Sequence, residues 1–94
     1  MRKKLSEEEI NERLLRTPMW EREGVMIVRN LQVENFAAAL ALVNRIGEVA
    51  EALDHHPDIL LHGWNKLRLS VTTHDTGGLT ERDFELAARV EELL

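Results

Sequence analysis

The unusual density of reactive side chains lies between Glu51 and Asp83. His55-His56-Pro57 follows a long apolar-periodic stretch and His74 stands beyond the next alternating segment, so three of the chain's four histidines flank strand regions that an antiparallel hairpin could bring together. Histidine both gives and takes a proton near neutrality, its unperturbed pKa being about 6.5. Two adjacent histidines at a helix C-terminus sit where the helix dipole favours the imidazolium form. Pro57 keeps His56 out of the α region, so the two rings diverge and can address two sides of a flat ligand. A set of this kind is suited to general acid–base chemistry.

Plainer readings compete with this one. Glu51, four residues before His55, also fits an ordinary helix-surface pair. Asp83 also fits a helix-capping role alone. Trp64 reads more readily as core than as a ligand platform, and His62 as an exposed or hydrogen-bonded strand residue. A zinc or iron site drawn from His55, His56, His62 and His74 with Asp54 or Asp58 has the donor types but poor spacing, because no His-x-His or His-x-x-x-His pair occurs. No metal is therefore expected. There is no glycine-rich phosphate loop, no Ser-His-Asp context and no basic stripe with interleaved aromatics.

Composition narrows the classes further. Ninety-four residues make one domain, expected to span 1–94, and the hydrophobic share of 44% is ordinary for a globular chain. Twelve Lys and Arg against 17 Asp and Glu leave a net charge of −5, which gives no electrostatic footing for nucleic acid or an anionic membrane. The absence of cysteine excludes disulfides, thiolate metal sites and a cysteine nucleophile. No apolar run approaches the roughly 18 residues of a membrane span, and Met1-Arg2-Lys3-Lys4 lacks the apolar region of a signal peptide. A soluble, cytoplasmic domain is expected.

The elements that must position the histidines are legible as periods and punctuation. Ser6 with Glu9 forms a capping box and Leu5 with Ile10 a hydrophobic staple. That helix carries Ile10, Leu14 and Leu15 inward and stops at Thr17-Pro18. Trp20 to Val33 reads as a hairpin turning at Gly24. From about Asn35 to Leu53 the helical period returns, with Phe36, Leu40, Val43, Ile46, Ala50 and Leu53 as the predicted inward stripe. Gly47 in that helix fits a close helix or subunit contact. Leu42 and Val49, beside Ala38 and Ala39, lie outside the stripe and suggest a homo-oligomer formed through helices. Asp58–Leu61 is predicted as a short strand. Lys66–Thr73 is a clearer one, with Leu67, Leu69, Val71 and Thr73 on one face. Asp75-Thr76-Gly77-Gly78 is a turn. Thr80 with Asp83 and Leu79 with Phe84 then repeat the capping logic for a last helix, whose stripe is Leu86, Ala87, Val90, Leu93 and Leu94. The order α-β-β-α-β-β-α predicts a two-layer α+β domain, an antiparallel sheet with helices on one face.

The pattern Glu51-x3-His55-His56-Pro57-x6-Trp64-x9-His74-x8-Asp83 resembles the signature of the pterin-4a-carbinolamine dehydratases. Trp64-Asn65-Lys66 and Thr73-His74-Asp75-Thr76-Gly77-Gly78-Leu79-Thr80-Glu81-Arg82-Asp83 fit it as well. The Leu5-Ser6 helix start, Trp20 and the Phe36 helix leading into Ala50-Glu51 extend it more loosely. Members often carry Tyr where Trp64 stands, and aromatics at the positions of Leu31 and Val33. The resemblance implies a four-stranded antiparallel sheet with three helices on one face, assembled as a homodimer or homotetramer. It implies dehydration of 4a-hydroxytetrahydropterin to quinonoid dihydropterin in tetrahydrobiopterin regeneration, downstream of an aromatic amino-acid hydroxylase, with no metal or organic cofactor.

Carried over residue by residue, it implies His55 and His74 as acid–base groups and His56 as the residue that binds the ring and shares proton transfer. Asp54 and the Thr72, Thr73, His74 and Asp75 backbone line the pterin's hydrogen-bonding edge. Glu51 orients or tunes His55, and Asp83 and Trp64 support the site. Two alternatives accompany this reading. One is a dimerisation cofactor for a homeodomain transcription factor, a protein-binding role. The other is a dehydratase-like protein acting on a different pterin, for example in molybdenum-cofactor metabolism.

Overall fold

A computed structural model describes residues 3–94; the first two residues of the basic Met1-Arg2-Lys3-Lys4 stretch lie outside the described residues. The elements run α1 (Glu7–Arg16), β1 (Glu21–Glu23), β2 (Met26–Gln32), α2 (Phe36–Leu53), β3 (Asp58–His62), β4 (Lys66–Val71), a 3₁₀ turn (His74–Thr76) and α3 (Glu81–Glu91). The strands form one antiparallel sheet in the order β1-β2-β4-β3. Together with three helices they make the α+β arrangement expected from the periodicity.

Both capping boxes form. Ser6 Oγ accepts from the Glu9 N–H at 3.1 Å while the Ser6 N–H donates to Glu9 Oε1 at 2.9 Å. Leu5 and Ile10 are buried beside them, as a staple requires. Strand parity sets the two sheet faces. Leu67, Leu69 and Val71 of β4 stand opposite Leu31, Arg29 and Ile27 of β2, and Ile59 and Leu61 of β3 share that side. Apart from Arg29, whose guanidinium pairs with Glu91, these residues join Ile46, Leu86 and Val90 of the helices in one core. Lys66, Arg68 and Ser70 therefore face away from the helices, with Asp58, Leu60 and His62 alongside.

The helix stripes differ from expectation in identifiable ways. Leu15 is 82% exposed, because at 100° per residue it lies well off the line through Ile10 and Leu14. In α2 the buried residues are Ala39, Leu42, Ile46, Val49 and Ala50, whereas Phe36 and Leu40 are exposed. The helix is apolar almost all round, so two stripes satisfy the 3.6 period, and the sheet takes the one carrying small Ala39 and Ala50, which permits close approach. Leu42 and Val49, expected on an outer contact face, thus belong to the core. A Cβ at Gly47 would meet nothing within 4 Å, so that glycine makes no close helix contact within the chain. Leu94 is exposed beyond the end of α3. Trp64 is also exposed, in the β3–β4 turn, where it and Gly63 adopt φ values of 57° and 54°. A left-handed backbone in that tight turn turns its indole outward rather than into the core.

Candidate active site

The site is assembled where α2 ends, β4 ends and α3 begins. Asp54 closes α2 in the left-handed region (φ 51°, ψ 45°), and the His55 N–H returns to the Ala50 carbonyl at 3.0 Å. This reversal ends the helix and swings His55 inward. The Arg82 guanidinium caps the same terminus, donating to the Leu53 carbonyl and, at 3.0 Å, to the Asp54 carbonyl. A cation there is favoured by the helix dipole, and it ties the start of α3 to the end of α2.

Asp83, fully buried, is the hub. Its Oδ2 accepts from the Thr80 N–H at 2.9 Å and from the Thr73 hydroxyl at 2.8 Å. Thr73 and Thr80 share a further hydroxyl contact at 2.9 Å. The other oxygen, Oδ1, lies 2.6 Å from His55 Nε2, and His55 is itself only 6% exposed. With Oδ1 as the acceptor, Nε2 carries the hydrogen, and in that neutral tautomer Nδ1 is the lone-pair nitrogen. The capping residue is thus also the partner of a histidine 28 positions away.

His56 and His74 occupy a shallow cleft on the sheet face turned away from the helices. Met26, Asp58, Ser70, Val71 and Thr72 complete its lining. His55 lies behind this cleft on Asp83 and is not among the side chains that line it. Glu51 engages His56 rather than His55. One turn of helix plus the chain reversal at Asp54 brings its carboxylate to the second histidine. The Thr72 hydroxyl donates to the Val25 carbonyl, tying β4 to the β1–β2 turn. Thr73 pairs with Gly78 in an isolated bridge, and the Thr76 hydroxyl donates to the Thr73 and Gly78 carbonyls at 3.1 and 3.0 Å, which holds the His74 turn closed. Asp75 is exposed in that turn, and Asp54 is exposed with its carbonyl on Arg82.

Trp64 and His62 lie at the opposite end of β3 from His56, so the structure does not bring them to this cluster. Asp58, Ser70 and Met26 enter the cleft without a motif pointing to them. The usable signal was parity, since positions 58, 70 and 72 share the outer face once the β3–β4 register is known. Among the described residues no group of three or more His, Asp or Glu side chains is arranged to hold a metal ion.

Residues 3–93 match the family model described as pterin 4 alpha carbinolamine dehydratase. The chain belongs to the pterin 4 alpha carbinolamine dehydratase family. A curated relative from Chloroflexus aurantiacus, provisionally named a pterin-4-alpha-carbinolamine dehydratase, is 50% identical over 91 residues, 97% of each chain. One from Acidobacterium capsulatum with the same provisional name is 48% identical over 90 residues, covering 96% of this chain and 97% of its own. Among solved structures, a transcriptional coactivator/pterin dehydratase from Brucella melitensis superimposes with a TM-score of 0.90 at 28% identity, covering 96% of this chain and 97% of the other. A pterin dehydratase-like protein identified as a RuBisCO assembly factor in the alpha-carboxysome shares the fold, with a TM-score of 0.63 at 20% identity. For a dehydratase-family chain, three motif histidines gathered at one end of the sheet are the feature to explain.

Proposed function

We propose that this protein dehydrates 4a-hydroxytetrahydropterin to quinonoid dihydropterin and water, in tetrahydrobiopterin regeneration. The observation that carries the reading is the convergence of the three histidines. Two face one cleft, and the third, next to His56 in the chain, is braced by a buried carboxylate. The reaction asks for little else. An imidazolium donates a proton to the 4a-hydroxyl, the C4a–O bond breaks and water leaves. A neutral imidazole takes the N5 proton, and the N5–H electron pair becomes the N5=C4a double bond. Each transfer suits a group able to exchange protons near neutral pH.

In this reading His74 exchanges protons from within the cleft and His55 from behind it, which requires the bound ring to reach past His56 to the inner imidazole. Asp83 holds the His55 tautomer whose Nδ1 accepts, the arrangement by which a buried carboxylate readies an imidazole base. His56 orients the ring, with Glu51 fixing its imidazole, and the strand-end backbone from Thr72 to Asp75 together with Asp54 contributes hydrogen bonds. No metal or organic cofactor takes part. The protein works in the cytoplasm as a homodimer or homotetramer beside an aromatic amino-acid hydroxylase. In support, no helix among the described residues is long and apolar enough to cross a membrane, and the exposed Phe36 and Leu40 of α2 form a surface suited to a second copy.

A stopped-flow measurement of carbinolamine dehydration with the purified protein tests the reading, the expected result being clear acceleration over the uncatalysed reaction. Absence of acceleration would shift the weight to a protein-binding module. That second reading is favoured by the same apolar α2 surface and by the likeness to the Brucella melitensis protein, described as a transcriptional coactivator as well as a pterin dehydratase.

A further inference from the structure

The cleft holds a carboxylate that proton transfer does not use. Asp58 opens β3 directly opposite Ser70 of β4, and because Ile59 and Leu61 point to the core, Asp58 and Ser70 share the outer face. Both line the cleft with His56, His74 and Met26. Among the described residues no hydrogen bond or ion pair engages the Asp58 carboxylate. No Lys or Arg lines the cleft, so it holds no permanent cation for an anionic ligand. It offers instead two acceptor oxygens, an adjacent hydroxyl able to donate or accept, and a polarizable thioether suited to the face of a flat ring.

We propose that Asp58 reads the donor edge of the substrate. The ligand class that fits is a neutral 2-amino-4-oxo-pyrimidine fused to a second ring, whose exocyclic amino group and N3–H stand side by side. Two parallel N–H donors match the two oxygens of one carboxylate, and hydrogen bonds to an ionised acceptor are the stronger kind. With that edge on Asp58 and Ser70, the opposite part of the bicycle lies toward His56 and His74. The inference rests on the pterin reading of this cleft, and it moves the amino and N3–H edge to Asp58 and Ser70, leaving Asp54 and the Thr72–Asp75 backbone to the rest of the ring.

The test is Asp58→Asn, which keeps size but exchanges one acceptor for a donor, with Asp58→Glu as the conservative variant. KM should rise about 10–100-fold and kcat stay within about threefold, the pattern of lost ground-state binding. Asp58→Glu should recover part of the loss. A fluorescence titration with oxidised biopterin and its 2-desamino analogue gives a second readout. Wild type should prefer the amino compound by at least about tenfold, and Asp58→Asn should lose the preference. Unchanged KM with an unchanged preference overturns the proposal, as does a fall in kcat at constant KM. An inactive wild type that still shows Asp58-dependent preference would discard the dehydration and keep the edge contact. No saturable binding of biopterin by wild type would overturn both.

Discussion

Asp83→Asn is the most informative single perturbation, because one atom exchange separates bracing from capping. Removing the side chain altogether is too blunt. Asp83→Ala would leave the Thr80 N–H, the Thr73 hydroxyl and His55 Nε2 without their acceptor in a fully buried setting. At about 1–3 kcal/mol for each stranded group, and allowing for non-additivity, the loss is about 3–5 kcal/mol, a large part of a typical 5–15 kcal/mol total. Asparagine keeps one oxygen for the two threonine donors and turns its amide N–H₂ toward His55. His55 must then accept at Nε2, which moves its hydrogen to Nδ1 and removes the lone pair the reaction needs. A neutral tautomer exchange is mild, so stability should fall by only about 1–2 kcal/mol, read from urea unfolding. Turnover should fall about 10²–10⁴-fold, the scale of a lost general base or a wrong tautomer. The assay is steady-state dehydration kinetics, with circular dichroism confirming the fold. A folded Asp83→Asn variant with kcat within about threefold of wild type would refute the bracing of His55 and leave Asp83 a cap only.

The histidines themselves give a graded set. His55→Ala and His74→Ala should each lower kcat about 10–10⁴-fold and the double variant should lose far more, while His56→Ala should raise KM as well. His62→Ala, at the far end of β3, should match wild type; equal damage there with a fully active His74→Ala would displace the site. Light scattering at micromolar concentration should give a multiple of the protomer mass, and Leu40→Glu on the exposed α2 surface should shift it downward. Elemental analysis should find no stoichiometric zinc or iron, and a chelator should leave activity intact; metal-dependent recovery would contradict this. The Glu9 carboxyl is held below its ordinary range chiefly by the Ser6 backbone N–H and then by the Ser6 side chain. Such a depressed group stabilises the fold above its unfolded value, and the contribution disappears as pH falls through the folded one. Urea midpoints of wild type and Glu9→Gln should therefore differ at neutral pH and converge in acid.

Much of this protein is written locally. The capping boxes at Ser6 and Thr80, the turns at Gly24 and Gly77, and the alternation from Lys66 to Val71 depend on neighbours three or four residues apart, so the chain alone determined the order of elements and the α+β class. The histidine motif was equally legible, since a signature is a matter of identity and spacing. What the chain could not decide was which of two apolar stripes α2 buries, for both obey the same period and only contact with the sheet distinguishes Ala39 and Leu42 from Phe36 and Leu40. Nor could it show that Glu51 meets His56, that His55 turns in to Asp83, or that Asp58 and Ser70 stand side by side beneath the cleft. Those pairings depend on the left-handed turn at Asp54 and on the β3–β4 register. Both join parts of the chain whose proximity is established only when the helices close over the sheet.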